Sequence, residues 1–374
     1  MGLLSNRPAW IEIDLSALKH NYNYIRSKIP NKTKIAAVVK ADAYGHGAVQ
    51  SAKKLKDWGV DYLCVGSPGE GIELREEGIE IPILVLAEVL EGQYEDIIKG
   101  NLIQTAASFK TLEGLNKKAA EAGVELPVHL KFDTGMGRIG FFPGELVSAF
   151  EKAESLNNIY VEGVFSHLAR ADEEDKDFAY QQLERFNKAV EEVENAGYDI
   201  KIKHLANSAA VIDLPEFAFD MVRPGIMLYG LQPSDELHQD PELKPVLSFK
   251  TRIVHLRTLK AGSAVSYGST YKTKKEEKLA VLPVGYKDGY PRLLSNQGQV
   301  LVNGKKAPIR GRVCMGQTII GVDEIEDLKV GDEVVLIGEQ GEDSITASEI
   351  ADLTGTINYE VVCNLSERLE KVFI

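Results

Sequence analysis

A lysine closes the first long apolar run of the chain. Lys34-Ile35-Ala36-Ala37-Val38-Val39 leads straight into Lys40, followed by Ala-Asp-Ala-Tyr44-Gly45-His46-Gly47. Burying an ammonium without a partner is costly. The position therefore has two readings: a lysine snorkelling out of the end of a strand, or a desolvated amine of lowered pKa ready to form a Schiff base. Three later runs also end on polar groups, at Ser166-His167, Asn207-Ser208 and Arg223-Pro224-Gly225. Ser208 and the amides of Gly225 and Ile226 suit an anion held by backbone N–H groups, and Ser208 equally suits an ordinary helix N-cap. An amine, an anion site and an arginine at strand ends are what a phosphorylated, amine-bonding cofactor needs. Pyridoxal phosphate fits that description.

Gly135-Met136-Gly137-Arg138-Ile139-Gly140 has the spacing of a dinucleotide fingerprint and follows an apolar run. Such a fingerprint must open a helix directly, but Phe141-Phe142-Pro143 comes next. The residue of interest here is Arg138, which on a glycine-rich loop could hold a carboxylate; a surface arginine is the alternative.

The elements that must position these residues fall into two textures. From residue 33 to about 230, eight short β-rich runs alternate with helical stretches: Lys34–Val39, Asp61–Val65, Ile81–Ala87, Leu102–Ala106, Val128–Phe132, Tyr160–Phe165, Ile202–Leu205 and Phe219–Val222. Several are continuously apolar, as parallel strands buried on both faces are. Ala48–Trp58, Thr111–Ala122 and Asp175–Ala196 read as amphipathic helices ending near glycines, and Ser16–Ser27 as a preceding helix with Ser16 as N-cap. Eight β-then-α units predict an α/β TIM barrel, whose functional residues collect where strands end.

Past Pro241 and Pro245 the runs lose their intervening helices: Val246–Leu259, Lys278–Val284, Gln299–Val302, Thr318–Val322 and Glu333–Ile337, with one short helix near Thr346–Leu353. Asn303-Gly304 is a strong hairpin signal. The expected organisation is a barrel over 13–240 and a mainly antiparallel β-domain over 1–12 and 241–374, with Ala9–Ile13 as a strand of the latter.

The 374 residues, 44% hydrophobic and 26% charged, match a globular protein of one large and one small domain. A net charge of −13 without a basic stripe argues against nucleic-acid or anionic-membrane partners. No apolar stretch approaches the roughly 18 residues of a membrane helix, and MGLLSNRPAWIEID lacks a leader's pattern, so a cytoplasmic protein is expected. Cys64, Cys314 and Cys363 form neither a disulfide framework nor a zinc spacing, and no metal is expected.

Nine spaced segments resemble the alanine racemase family, in the family's order from residue 10 to residue 370. They are AVVKADAYGHG, KFDTGMGRIG, FSHLARAD, HLANSAA, VRPGIMLYG, VSYGSTY, GYKDGYPR, GRVCMGQT and INYEVVCNL. The resemblance implies a pyridoxal-phosphate enzyme that interconverts L- and D-alanine, works as a homodimer and supplies D-alanine for peptidoglycan. Lys40 would carry the cofactor and act as one base. Tyr267, reaching from the β-domain into the partner's active site, would be the other. Tyr44, Ser208, Gly225, Ile226 and Tyr359 would bind the phosphate, and Arg223 would face the pyridine nitrogen. Arg138 would support the cofactor's phenolic oxygen and the substrate carboxylate, with the Met315 backbone also near substrate. His167 would lie beside the cofactor ring, and Arg312, Asp172, Arg292, Ile357 and Tyr359 would line an access corridor. Lys131 matches a lysine often carbamylated in the family.

The chemistry has its own logic. Racemisation takes the α-proton from one face and returns it to the other, so two bases on opposite faces are the direct solution. A tyrosine with an ordinary pKa of about 10 needs a stabilised phenolate to serve, and a cationic His167–Arg223 chain is the expected source. An arginine cannot accept a proton from the pyridine nitrogen or donate one outright, which keeps the cofactor a weaker electron sink and favours racemisation over competing reactions. The chain departs from the family at Gly316, where an Asp usually follows Cys-Met, and at Lys287, where many relatives have alanine. The remaining histidines, His129 and His204 among them, read as structural or exposed. A racemase of broader or serine specificity, differing by about 1–3 kcal/mol of pocket contacts, and a non-catalytic pyridoxal-phosphate carrier are the alternatives. A decarboxylase should carry an acid where Arg223 stands.

Overall fold

The computed structural model describes residues 8–374; the parts of the leader and β-domain readings that fall on residues 1–7 lie outside the described residues. The chain divides into two compact units, one of Leu18–Ala43 and Gly47–Lys244, the other of the residues up to Ala17, Tyr44–His46 and Pro245–Ile374.

After an opening strand β1 (Ala9–Ile13), the first unit is built on β2 (Lys34–Val38), β3 (Tyr62–Val65), β4 (Ile83–Val85), β5 (Ile103–Ala106), β6 (Leu126–Lys131), β7 (Ile159–Phe165), β8 (Ile202–His204) and β9 (Met221–Val222). They pair in parallel in the order β8-β7-β6-β5-β4-β3-β2-β9. The β8–β9 seam is drawn together by Asp220 N–H to Lys203 O and Arg223 N–H to Ala206 O, both 3.0 Å. This is a nearly closed eight-stranded α/β barrel. Every residue of β3, β4 and β5 is buried, because helices cover the outside while side chains fill the inside. The helices follow local chemistry. Ser108 caps Phe109–Ala122, and Gly59 and Gly123 end their helices in the left-handed region that glycine reaches without a Cβ penalty. The first helix runs Leu15–Lys28, and its cap is Asp14 rather than Ser16. The Asp14 carboxylate accepts from the Ser16 and Ala17 N–H groups, while Ser16 sits inside and donates its own hydroxyl to Asp14.

The second unit holds β10 (Leu247–Arg252), β11 (His255–Leu259), β12 (Ala264–Val265), β13 (Tyr271–Lys272), β14 (Glu277–Leu282), β15 (Gln299–Val302), β16 (Lys305–Pro308), β17 (Thr318–Gly321), β18 (Glu333–Gln340), β19 (Asp343–Ile345) and β20 (Glu370–Phe373). Its main sheet runs β16-β15-β18-β10-β1-β20, with β19 on β18. Pairing is antiparallel except where β1 meets β20. Smaller sheets join β11-β14-β17 and β12-β13. The run Val246–Leu259 is two strands, not one. Ile253 donates to Asp332 O and Val254 to Val281 O, so consecutive residues enter different sheets and the strand breaks there. Helix Ala347–Thr354, capped by Thr346, is joined by a second helix, Asn358–Cys363, that periodicity missed. Among the described residues no helix is long and apolar enough to cross a membrane.

Candidate active site

β2 delivers Lys40 to the end of the strand, where the backbone then turns the wrong way. Ala41, Asp42, Ala43 and Tyr44 all have φ between 52 and 55°, a left-handed turn of four non-glycine residues. Such residues cost roughly 1–2 kcal/mol each, so the surroundings must hold them. Ala43 N–H donates to Val39 O and Gly47 N–H to Asp42 O, both 2.9 Å, while the Asp42 carboxylate takes the Ala48 N–H at 2.7 Å. Glu70 accepts from Ala41 N–H (2.8 Å), Gly66 N–H (2.6 Å) and Ser67 N–H (3.3 Å). The strain aims the lysine, and Glu70 ties the residue after it to the loop that leaves β3.

Neighbouring strand ends converge on Arg223, which is 4% exposed. Its guanidinium donates to Ser166 O (2.7 Å), Leu205 O (3.1 Å) and His204 Nδ1 (2.9 Å), and lies 3.5 Å from His167 Nδ1. Burial lowers it to about 10. Lys131, also buried, packs its ammonium 4.8 Å from the centre of the Phe165 ring. Desolvation first, then Arg223 and Arg138, bring it down to about 7. His167 is held well below its ordinary value by desolvation and by the charges of Arg223, Lys131, Arg138 and Lys40. Desolvation first, and then these neighbouring cations, disfavour a charge on His167, so that of the expected His167–Arg223 pair Arg223 is the favoured carrier of the charge. At 3.5 Å from a group that only donates, His167 Nδ1 is placed to accept, with the imidazole proton on Nε2.

Arg138 is exposed on a loop fixed by Asp133. Burial raises that carboxyl, but N–H donors from Gly135, Met136 and Arg138 outweigh it and hold Asp133 below its ordinary value. The loop returns to pair Phe141 with Phe132, and no helix opens on its glycines.

Ser208 is not the cap of its helix; Asn207 is, through Ala210 N–H. Ser208 Oγ instead accepts from Gly225 N–H at 2.9 Å, which leaves its own proton without an acceptor among the described residues. Ile226 opens a single 3₁₀ turn immediately after Gly225. A hydroxyl donor beside the first N–H groups of a turn fits a phosphate. Tyr44 and Tyr359 belong to the second unit, with ring centroids 6.1 Å apart.

That unit presents Tyr267 on a turn in which Ser266, Gly268 and Ser269 all have φ between 48 and 71°. Ser266 Oγ donates to Arg312 O at 2.7 Å, and Tyr286 and Lys287 N–H donate to Cys314 O and Met315 O at 3.0 and 2.9 Å. Tyr267 and Met315 are 71% and 61% exposed. A Cβ at Gly268 would stand 3.2 Å from the Arg312 guanidinium, whereas one at Gly316 would meet nothing within 4 Å. Arg292 and Ile357 are exposed on the same unit, while Asp172 lies in the barrel unit, on a loop tied down by Lys176 to Ala171 O and to the Asp213 carboxylate.

The alanine racemase N-terminal domain signature matches residues 13–233 and the C-terminal domain signature residues 246–373. The chain belongs to the alanine racemase family. It is 53% identical over 367 residues to an alanine racemase of Halothermothrix orenii, covering 98% of this chain and 97% of that one. The solved alanine racemase of Clostridium difficile 630 superposes with a TM-score of 0.94 at 42% identity, over 98% and 96% of the two chains. A histidine racemase of Leuconostoc mesenteroides superposes at 0.92 with 30% identity, covering 99% of each.

The protein is therefore a pyridoxal-phosphate-dependent amino-acid racemase. The residues present fit that cofactor: a lysine on a clamped turn, a buried donor-only arginine and a serine hydroxyl whose proton is left to donate. Sequence reasoning missed Glu70, which holds the turn after Lys40, Phe165, on which Lys131 packs, and the hydrogen bond from Arg223 to His204. A glutamate three residues after Ser67, in a capping box, was the one available signal for Glu70.

Proposed function

We propose that this racemase interconverts L- and D-alanine in the cytoplasm, supplying D-alanine for peptidoglycan, and works as a homodimer whose sites each combine two subunits. The observation carrying the reading is Arg223, buried as a donor to two carbonyls and an imidazole, with no carboxylate within ion-pair distance among the described residues. Bound pyridoxal phosphate supplies an electron sink for the α-carbanion; an arginine at its ring nitrogen keeps that sink weak and protects against transamination and decarboxylation.

Lys40 holds the cofactor and, once displaced by substrate, is the base on one face. Tyr267 of a second copy is the base on the other; its exposure on a rigid turn suits it to reach outward. The neutral His167, with its proton on Nε2, can donate to the phenolate oxygen and stabilise it without a charge of its own. Ser208, Gly225, Ile226, Tyr44 and Tyr359 grip the phosphate. Arg138 and the Met315 backbone orient the substrate carboxylate, with Arg138 also supporting the cofactor's phenolic oxygen. A carbamylated Lys131 would place an anion beside Arg138, and its lowered pKa supplies the neutral amine that attacks carbon dioxide, releasing a proton as the carbamate forms.

A broader substrate range is the second reading, favoured by the open space at Gly316. Incubating the protein with L-alanine or L-serine in deuterated water tests both. Loss of circular dichroism with deuterium at the α-carbon is expected for alanine, and the ratio to serine settles the preference. Absence of exchange from either amino acid overturns the proposal.

A further inference from the structure

Behind Arg223 a line of buried polar groups runs through the barrel core, away from the strand ends. Arg223 Nη1 lies 2.9 Å from His204 Nδ1, His204 Nε2 lies 2.8 Å from His129 Nδ1, and His129 Nε2 lies 2.9 Å from a Glu162 carboxylate oxygen. Both imidazoles are 0% exposed, whereas Glu162 is partly exposed and also takes the Tyr62 hydroxyl.

The proton positions in this line are not free. A guanidinium only donates, so His204 Nδ1 must carry a lone pair and its single proton sits on Nε2. That proton can go only to His129 Nδ1, which places the His129 proton on Nε2, aimed at Glu162. The carboxylate can only accept, so both ends demand the same direction. Burial, the largest influence, holds both histidines below their ordinary value, and Glu162 is held in its ionised form by His129 and Tyr62 against its own desolvation. The fold has made room for this line. A Cβ at Gly163 would stand 2.8 Å from His129 Cε1, and the β6–β7 register shifts between Val128 and His129.

We propose that Glu162, His129 and His204 are positioning residues that form a one-way hydrogen-bond relay, giving the buried Arg223 a distant counter-charge and fixing it as a donor toward the cofactor ring. A buried cation without a partner is costly, and aligned neutral dipoles ending on an anion relieve that cost while keeping the carboxylate away from the ring. A carboxylate in direct contact would compete for the same guanidinium donors. The relay thus reconciles a stable buried arginine with an electron sink that stays weak. It rests on the assignment of Arg223 to the ring nitrogen made above.

Neutron diffraction from crystals of the cofactor-loaded protein grown in deuterated buffer tests the direction itself. One deuteron on Nε2 and none on Nδ1 is expected at both His129 and His204; a deuteron on Nδ1 of either overturns the relay whatever the activity. Glu162→Gln then tests its purpose, because the amide keeps the shape and one acceptor but removes the charge. A fall in kcat of about tenfold is expected for loss of a charge-assisted interaction, with KM for L-alanine changed by less than about twofold. The absorbance maximum of bound pyridoxal phosphate should shift, and that shift should vanish in an Arg223→Lys background. The same spectral shift in both backgrounds, or none in either, overturns the proposal. If the neutron result holds while the unaltered protein racemises no amino acid, it is the functional reading of Arg223 that fails.

Discussion

At the scale of single residues, the barrel unit concentrates cations and controls which of them keeps its proton. Lys131 is lowered to about 7 by burial and by Arg223 and Arg138. An unfolded lysine stays protonated to about pH 10.4, so between these values the unfolded state binds more protons. Stability must rise with pH there and the charged-state cost must be fully present below pH 7, with a slope of at most about 1.4 kcal/mol per pH unit. Urea unfolding in carbon-dioxide-free buffer from pH 6.5 upward should show this rise, and Lys131→Met should flatten it; parallel curves would place the ionisation elsewhere. With ¹³C-bicarbonate the same neutral amine should give a carbamate carbon signal that Lys131→Ala removes. Lys40→Ala should abolish both turnover and the absorbance of lysine-bound pyridoxal phosphate. These residues differ in how legible they were. Lys40 could be picked out because it ends an apolar run, a one-dimensional fact. His129, His204 and Glu162 could not, since each is an ordinary member of its own strand and gains meaning only where the closed barrel stacks them across its interior.

Elements show where local rules held and where the tertiary structure overrode them. Asn303-Gly304 forms the hairpin between β15 and β16 with φ of 49 and 72°, because only such residues accept both left-handed positions of that turn. All eight barrel runs became strands, since strands covered on both faces are mostly apolar, and the buried polar residues they do carry, such as Gln104, His129 and His204, are hydrogen-bonded inside the barrel. The left-handed turn after Lys40 was illegible: Ala-Asp-Ala-Tyr has no preference for that region, and the conformation exists because Glu70, Asp42 and Val39 bind its backbone. Asn358–Cys363 was hidden by Val361 and Val362, whose branched side chains read as strand. The turn also explains a demanding glycine. Gly45 has φ of 83°, and a Cβ there would stand 2.4 Å from Val362 O, backbone that cannot swing aside. Gly45→Ala should therefore destabilise the protein by about 2–4 kcal/mol in denaturant unfolding and weaken cofactor retention through the displaced Tyr44. An unchanged midpoint would mean that the Asn358–Cys363 helix shifts freely, and would separate it from the site.

For the whole molecule, the decisive feature is the division of labour between units. Lys40, Arg223, Ser208 and Lys131 lie in the barrel unit, whereas Tyr267, Met315, Arg312 and Tyr359 lie in the other. The segment Gly311–Met315 ties the second group together: Gly311 N–H to Asn296 Oδ1 at 2.6 Å, Val313 N–H to Ser295 Oγ at 3.0 Å, and the Ser266 hydroxyl to Arg312 O at 2.7 Å. A phenol left 71% exposed on so constrained a turn has no use as packing. If it serves a second copy, each active site needs Lys40 from one subunit and Tyr267 from the other. Lys40→Ala and Tyr267→Ala should then each be inactive as homodimers. After unfolding and refolding together in equal amounts, half the dimers are hybrids in which one site has both intact residues and the other has neither. Roughly a quarter of the unmutated activity should return under random pairing of identical subunits, as read by α-deuteration of L-alanine. A mixture as silent as its components would mean that both bases come from a single chain, and the exposed face of Tyr267 would then need another explanation.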